Sequence, residues 1–363
     1  MTEALFVSTS PVFKVDGERK GELARDLVHL AIEETTEGLK TCVARFLAVG
    51  FKEGSSSEEL LYLDGSVLDF GKALEVSIGP SGNERVVFKG SLSALEVRYD
   101  EGVAPEVTAF AEDKLMQLRM TRRTKTYLRM SDSDIASTIA AEHGLTPDTD
   151  ADGPTYDVVQ QLNQSDLAFL RERAHCIQAE LWCDGDTLGF KTRSNRSATS
   201  VTLVQGNQLL TVECRADLAH QRTKVAVSGY DAAQRASIDE EAGPDVVQAE
   251  TSGGKSGPEV LQRAFGDLPS RLVHNAPLVN GEATAWAKAA MLRRSRAFVT
   301  AVGVTRGSPD LVVASNVELQ RVGDPFDGDG YYATRVRHTY DLQLGHRTHF
   351  EAERATVSSG AGG

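Results

Sequence analysis

Short segments in which apolar and polar residues alternate, each closed by a turn signal, fill the first 120 residues: Leu27 to Ile32, Thr41 to Val49, Leu74 to Ile78, Val86 to Phe88, Leu92 to Tyr99 and Val107 to Phe110. A period of two places one set of side chains toward a core and the other toward solvent, the pattern of half-buried antiparallel strands. Pro80-Ser81-Gly82-Asn83 and the stretch Lys52 to Ser57 supply turns between them. Residues 1–120 are therefore expected to form an antiparallel sheet that curls into a barrel or sandwich, and are assigned to a first β-barrel domain.

The alternation stops near residue 120. Ser131-Asp132-Ser133-Asp134 can cap a helix that carries Ile135, Ile139 and Ala140 on one face and stops at His143-Gly144. A second helix follows Asn163-Gln164-Ser165-Asp166, with Leu167, Leu170 and Ala174 on its inner stripe. With the hairpin after it, residues 121–195 read as a small α/β domain. Strands resume in VTLVQGNQLLTVECRA and RTKVAVSGYD, which open a second β-barrel domain over 196–236. Residues 237–300 read as an insertion: SIDEEAGPDVVQAETSGGKSGP (237–258) as a flexible acidic Gly/Ser loop, then helices from Glu259 to Phe265 and from Glu282 to Arg296. The cations Arg293, Arg294 and Arg296 suit the last turn of the longer helix. Strands at Asn316 to Arg321, Tyr331 to Tyr340 and His346 to Arg354 complete the second barrel over 301–357, leaving 358–363 as a disordered tail.

The late segment GYYATRVRHTYDLQLGHRTHFEAER follows the plan of the early VFKGSLSALEVRYDEGVAPEVTAFAEDK, with Phe350 in the place of Phe110. The fold class expected is thus mixed, mainly β with α+β insertions: two similar antiparallel β-barrel domains with a small α/β domain between them and a helical insertion in the second.

A chain of 363 residues can bury two or three cores. Its net charge of −13 opposes a nucleic-acid partner, whose phosphates require a basic face. The one dense basic run, Arg119 to Arg129, reads as a solvated strand or loop. No apolar stretch approaches the ~18 residues of a membrane span, and MTEALFVSTS lacks a basic segment followed by a long apolar one, so the chain is expected to stay in the cytoplasm without direct membrane insertion. Cysteines at 42, 176, 183 and 214 show no framework spacing and read as buried, unpaired thiols of a reduced compartment.

Three stretches invite a chemical reading. In HCIQAELWCDGDTLGF, His175-Cys176 and Cys183-Asp184 suggest a metal or redox site. On a strand from 175 to 183 the two thiols would point to opposite faces about 23 Å apart, and even in a helix about 10 Å apart. Zinc holds its ligands within ~2.3 Å, so the stretch reads as a strand and hairpin with its turn at Asp184-Gly185. AETSGGKS, Ala249 to Ser256, fits a relaxed phosphate loop with Lys255 and Ser256, but the segment before it is short and polar-flanked and Pro258 is expected to delay the helix. His338, His346 and His349 could suggest a metal cluster, yet positions 346 and 349 of a strand face opposite sides. Neither GxSxG nor HExxH occurs, and the acidic pairs Glu33-Glu34, Asp184 with Asp186, and Glu240-Glu241 lie near turns or loops. The residues nominate no catalytic, cofactor-binding or metal-ligating position, no cofactor and no enzyme activity.

The order SDSDIASTIAAEHGL, QQLNQSDLAFLRERAHCIQAELWCDGDTLGF, QGNQLLTVECRADLAHQRTKVAVSGYD and GYYATRVRHTYDLQLGHRTHFEAER resembles the phage late control protein D family over about residues 5 to 354. That family includes tail hubs of contractile phages, the N-terminal part of the type VI secretion spike protein VgrG, and hubs of extracellular contractile injection systems. Asn163 to Phe190 is the most specific part. The resemblance implies a structural baseplate hub, a homotrimer whose six quasi-equivalent barrels adapt the hexameric inner tube to the trimeric spike. The implied partners are further copies of the chain, a trimeric spike protein, the inner tube protein and other baseplate components. The implied setting is a phage tail or injection particle assembled in the bacterial cytoplasm, including particles released from the cell. Only ATVSSGAGG follows Arg354, so the spike is expected to be a separate protein. The competing readings are a tail-associated hydrolase or nucleotide-binding protein using Lys255 and Ser256, and a β-rich glycan-binding module, for which 6% aromatic residues give little material.

Overall fold

The computed structural model describes residues 5–7, 9–51, 58–196, 199–251, 253–273, 277 and 279–358. It is mainly β, with 49% strand and 20% helix. The Lys52 to Ser57 turn and most of the 358–363 tail lie outside the described residues.

Six strands build the first half: β1 (Val12–Val15), β2 (Leu27–Thr35), β3 (Thr41–Leu47), β4 (Ala73–Ile78), β5 (Arg85–Arg98) and β6 (Glu106–Glu112), with the short pieces Glu18–Arg19, Val49–Phe51 and Glu58–Leu60 beside them. The segments Val86 to Phe88 and Leu92 to Tyr99 prove to be one long strand, β5. The six pair antiparallel in the order β2-β3-β6-β5-β4-β1.

An α/β unit follows, with β7 (Arg122–Ser131), α1 (Asp132–Glu142), β8 (Thr146–Asp150), β9 (Thr155–Ser165), α2 (Asp166–Ile177), β10 (Ala179–Asp184) and β11 (Thr187–Thr192). Helix α1 starts as expected: Ser131 is the N-cap of a full capping box with Asp134. Helix α2 is capped by Ser165 but runs three residues past Ala174, because Ile177 extends the buried stripe of Leu167, Leu170 and Ala174. Its end is Gln178 at φ 56°. His175 and Cys176 therefore lie in the last turn of a helix, not on a strand, while the hairpin at Gly185 is present.

The second set comprises β12 (Ser200–Val204), β13 (Leu209–Ala216) and, after an insertion, β16 to β19. The insertion holds β14 (Val225–Asp231), β15 (Ala236–Ala242), α3 (Gly257–Phe265) and α4 (Asn280–Arg296). The 237–258 stretch is not one continuous loop. Ile238 and Ala242 of β15 turn inward at period two while Asp239 and Glu241 meet Arg271 and Lys224 outside. A short helix (Asp245–Gln248) and a two-residue strand (Lys255–Ser256) follow it. The chain then forms β16 (Val299–Arg306), β17 (Asn316–Gln320), β18 (Gly328–Asp341) and β19 (Gly345–Arg354).

The second set pairs in the order β13-β16-β19-β18-β17-β12, strand for strand the order of the first. They differ at the end, where β1 runs antiparallel to β4 but β12 runs parallel to β17. Their irregularities coincide. An extra residue, Ser93 or Thr334, bulges from the long strand, and its hydroxyl donates to the carbonyl of Phe110 (3.3 Å) or Glu351 (3.2 Å). Val28 and Leu210 are skipped at matching points of β2 and β13. Gly71 and Ala314, at φ 79° and 74°, donate to the carbonyls of Leu92 and Ala333. This register makes Phe350 the counterpart of Ala109, and Phe110 that of Glu351. The expected match of Phe110 with Phe350 is one residue out, a slip that would exchange the faces of the strand.

Within one chain neither half closes into a barrel. They join edge to edge, the C-terminal part of β18 pairing antiparallel with β2 from Arg335↔Thr35 to Asp341↔His29. The strands of the two halves thus form one open sheet running from β13 to β1, with Glu18–Arg19 beyond it, while the α/β unit and the insertion pair in smaller sheets of their own. Phe13, Phe46 and Phe88 centre the first half's core, and Phe298, Tyr331 and Phe350 the second's. The α/β unit has its own core, and α4 buries Ala283, Ala287, Ala290 and Met291 against β14 and β15.

Candidate assembly site

The seam between β2 and β18 is the place where the two halves act on each other. Val336, His338 and Tyr340 turn inward from β18, and Leu30 and Ile32 from β2, none more than 8% exposed. Tyr340 belongs to the core of the first half, its hydroxyl 2.8 Å from that of Ser10. On the outer face Glu33 accepts from Arg335 (2.8 Å) and lies 3.9 Å from Arg337, while Arg335 also donates to Glu351 (2.9 Å). Glu33 and Glu34, read from the sequence as solvated residues near turns, are seam residues.

The α/β unit is fastened to the seam by a buried charge network. Glu180 of β10, 4% exposed, accepts from the Tyr332 hydroxyl (2.6 Å) and from Arg196 (3.0 Å). Arg193 donates to Glu353 (2.6 Å) and stacks on the Tyr332 ring, and Arg196 reaches Glu34 at 3.8 Å. Each of these charges has an opposite partner, as burial requires. Arg171 of α2 adds bonds to the carbonyls of Glu37 and Gly38 just past β2. The network was missed from the sequence because its cross-links, Glu180–Tyr332, Arg193–Glu353 and Arg196–Glu34, join residues more than 150 apart.

His338 and His346 face each other inside the second half, with Nδ1 of His338 3.3 Å from Nε2 of His346. Burial pushes His346 down to about 4, and the Arg347 charge acts in the same direction. Burial also lowers His338 well below the ordinary histidine range, with the charges of His346, Lys40 and His349 adding to it. Both rings are neutral near pH 7. His349 points to the other face, beside the Thr339 hydroxyl at 3.2 Å, so the three histidines do not converge.

All four cysteines are free. Burial pushes the Cys183 thiol up to about 12 and raises those of Cys42, Cys176 and Cys214, which disfavours the thiolate needed for attack or ligation. Among the described residues no group of three or more His, Cys, Asp or Glu could hold a metal ion.

Lys255 and Ser256 do not complete a phosphate loop. Ser256 is the N-cap of α3, and the Glu259 carboxylate takes both its amide and its hydroxyl at 2.8 Å, so an anion already sits at this helix start. Pro258 does not delay the helix but lies in its first turn, where its missing N–H costs nothing. A helical turn, Asp245–Gln248, stands where a buried strand would be needed.

The basic run is the last turn of a short helix (Leu115–Met120) followed by a paired strand surface. Arg119 meets Glu112, Lys125 meets Glu142 at 2.5 Å, and Arg123 meets Glu142 and, at 2.7 Å, the fully buried Asp166. Asp166 also takes bonds from His143 and Gln161, both at 2.8 Å.

The family model described as the Alg8 N-terminal domain matches residues 27–341, and the chain belongs to that family. No curated protein matches the chain. Among solved structures, the 43 kDa tail protein of prophage MuSo2 from Shewanella oneidensis superposes with a TM-score of 0.69 at 14% identity, over 95% of this chain and 98% of that one. A tail protein from Neisseria meningitidis gives 0.64 at 12% identity, over 95% and 96%. An Escherichia coli component of the type VI secretion system, described as similar to two T4 bacteriophage tail proteins, gives 0.59 at 11% identity, over 96% of this chain and 77% of that one. At these identities the likeness is one of fold.

Proposed function

We propose that this member of the Alg8 N-terminal domain family is a structural baseplate hub of a contractile injection system or phage tail, a homotrimer that adapts a hexameric inner tube to a trimeric central spike. The observation that carries the reading is the duplicated half. One chain lays two strand-for-strand copies of a six-stranded unit side by side in one sheet. Three such chains in a closed ring offer six quasi-equivalent units to a six-fold neighbour and three identical chains to a three-fold one. The fold shared with phage and type VI tail proteins supports the same role.

In this reading residues 1–120, and 196–216 with 299–357, are the two hub barrels, each closed by strands at its borders. The second is bounded more tightly than 196–236 with 301–357 because Val225–Asp231 pairs with Ala236–Ala242 outside the main sheet and Val299–Arg306 joins it. Residues 121–195 buttress the seam, and 217–298 decorate the second barrel. The protein acts by assembly rather than catalysis, within a particle put together in the bacterial cytoplasm, with the tube, the spike and other baseplate proteins as partners.

The test is the mass of the purified protein, three times 39.2 kDa or about 118 kDa for the trimer, with electron microscopy of particles made without it. Particles lacking it should have no joined tube and spike. A strict monomer whose deletion leaves tube and sheath assembly unchanged refutes the hub.

A further inference from the structure

We propose that the outer edge of β5, residues 94–100, pairs antiparallel with the outer edge of β13, residues 211–217, of a second copy of this chain, in the register the chain uses at its own seam. The proposal rests on the hub reading and deepens it by naming the contact that closes the ring.

The duplication supplies the argument. β5 corresponds to β18 and β13 to β2, and the coincident bulges fix the correspondence to the residue. The C-terminal part of β18 is covered by β2, whereas the same part of β5 and the outer edge of β13 have no strand beside them among the described residues. Long bare edges are what soluble proteins otherwise avoid. Carrying the seam register across aligns Ala94 with Asp217, Val97 with Cys214 and Asp100 with Thr211.

Burial and charge both fit this alignment. Val97 and Tyr99, 39% and 60% exposed, stand where His338 and Tyr340, 5% and 8% exposed, fill the seam. Tyr99 would enter the second half's core as Tyr340 enters the first's. On the outer face Glu96 meets Arg215 and Arg98 meets Glu213, two opposite-charge pairs directly across the strands. At the intrachain seam the signs are exchanged, since Arg337 of the β18 side faces Glu33 of the β2 side. Crossed pairings are thereby penalised: β18 against β13 would set Arg337 on Arg215, and β5 against β2 would set Glu96 on Glu33. Attraction in the right joint and repulsion in the wrong ones together specify one ring.

The test uses the native Cys214. Residues directly opposite in antiparallel strands lie about 4.5–5.5 Å apart at Cα, within the range of a disulfide. Val97→Cys in the full chain should therefore give covalently linked dimers and trimers on mild oxidation, and these should vanish when Cys214→Ser is added. Separately, Glu96→Arg should weaken self-association by about tenfold or more, and Arg215→Glu in the same chain should restore it. All these positions except the half-buried Cys214 are exposed, so folding is retained. A trimer of correct mass in which Val97→Cys forms no Cys214-dependent link, or in which Glu96→Arg assembles like the wild type, overturns the pairing and leaves the hub reading standing. Cys214-dependent links in rings of some other number keep the pairing and sink the trimeric hub.

Discussion

Acidification should destabilise the protein through His346 by an amount that can be worked from its surroundings. The ring is fully buried, and its pKa is held at about 4 against an ordinary value near 6.5. Because the folded form resists protonation while the unfolded chain accepts it, the stabilisation is fully present above about pH 6.5. It is lost as pH falls toward 4, where the folded form also begins to bind the proton. The full span is on the order of 3 kcal/mol, and at pH 4.5 about 2.5 kcal/mol of it is gone. His338 acts in the same direction, being lowered by burial and by His346 beside it. Asp113 acts in the opposite one: burial raises its carboxyl to about 7, so it favours the folded state as pH falls. The wild-type profile alone is therefore not decisive, and the comparison must be with His346→Asn, which removes the titration. Urea unfolding of both proteins from pH 7.5 to 4.5 should show the wild-type advantage shrinking by ~2–3 kcal/mol. The variant also relieves His338 of a neighbouring charge, which shrinks the gap further. A gap constant across the range refutes the reasoning.

Three shorter expectations concern the supporting structure. Asp166→Ala strips the partner from Arg123, His143 and Gln161 and should lower stability by ~3–5 kcal/mol in urea unfolding, since it breaks a buried ion pair from one side. Gly189 faces Trp182 across β10 and β11, and a Cβ there would lie 2.1 Å from the indole Cε2. Gly189→Ala should cost ~1–3 kcal/mol and alter the near-UV circular dichroism of Trp182. Lys255→Ala removes an exposed side chain with no phosphate loop around it, so stability should change by less than ~0.5 kcal/mol and the mass of the assembly should not change.

What could be read from the sequence was local. Alternation at period two located most strands of both halves, β1 and β16 excepted, and the Ser131 and Ser165 caps located α1 and α2, because each signal spans a few neighbouring residues. The end of α2 was misplaced because the residue that stops it is Gln178 in the left-handed region, where a glycine would have announced the turn. β15 passed for a linker because its acids share the strand with only two inward apolar residues, Ile238 and Ala242. The duplication was visible as a plan but not in register, since nothing in Ser93 or Thr334 says that it bulges.

The candidate site was the least legible part, for a reason that follows from the same register. An exposed valine and tyrosine at 97 and 99, flanked by Glu96 and Arg98, satisfy the ordinary alternation of an edge strand and attract no notice. They become anomalous only beside His338 and Tyr340, which hold equivalent places and are buried because another strand covers them. A sequence repeat states that two segments resemble each other; the coincident bulges state which residue stands for which. Only with that assignment does a difference in exposure between two copies of one unit become evidence for a missing neighbour, and the pairs Glu96–Arg215 and Arg98–Glu213 become a description of who that neighbour is.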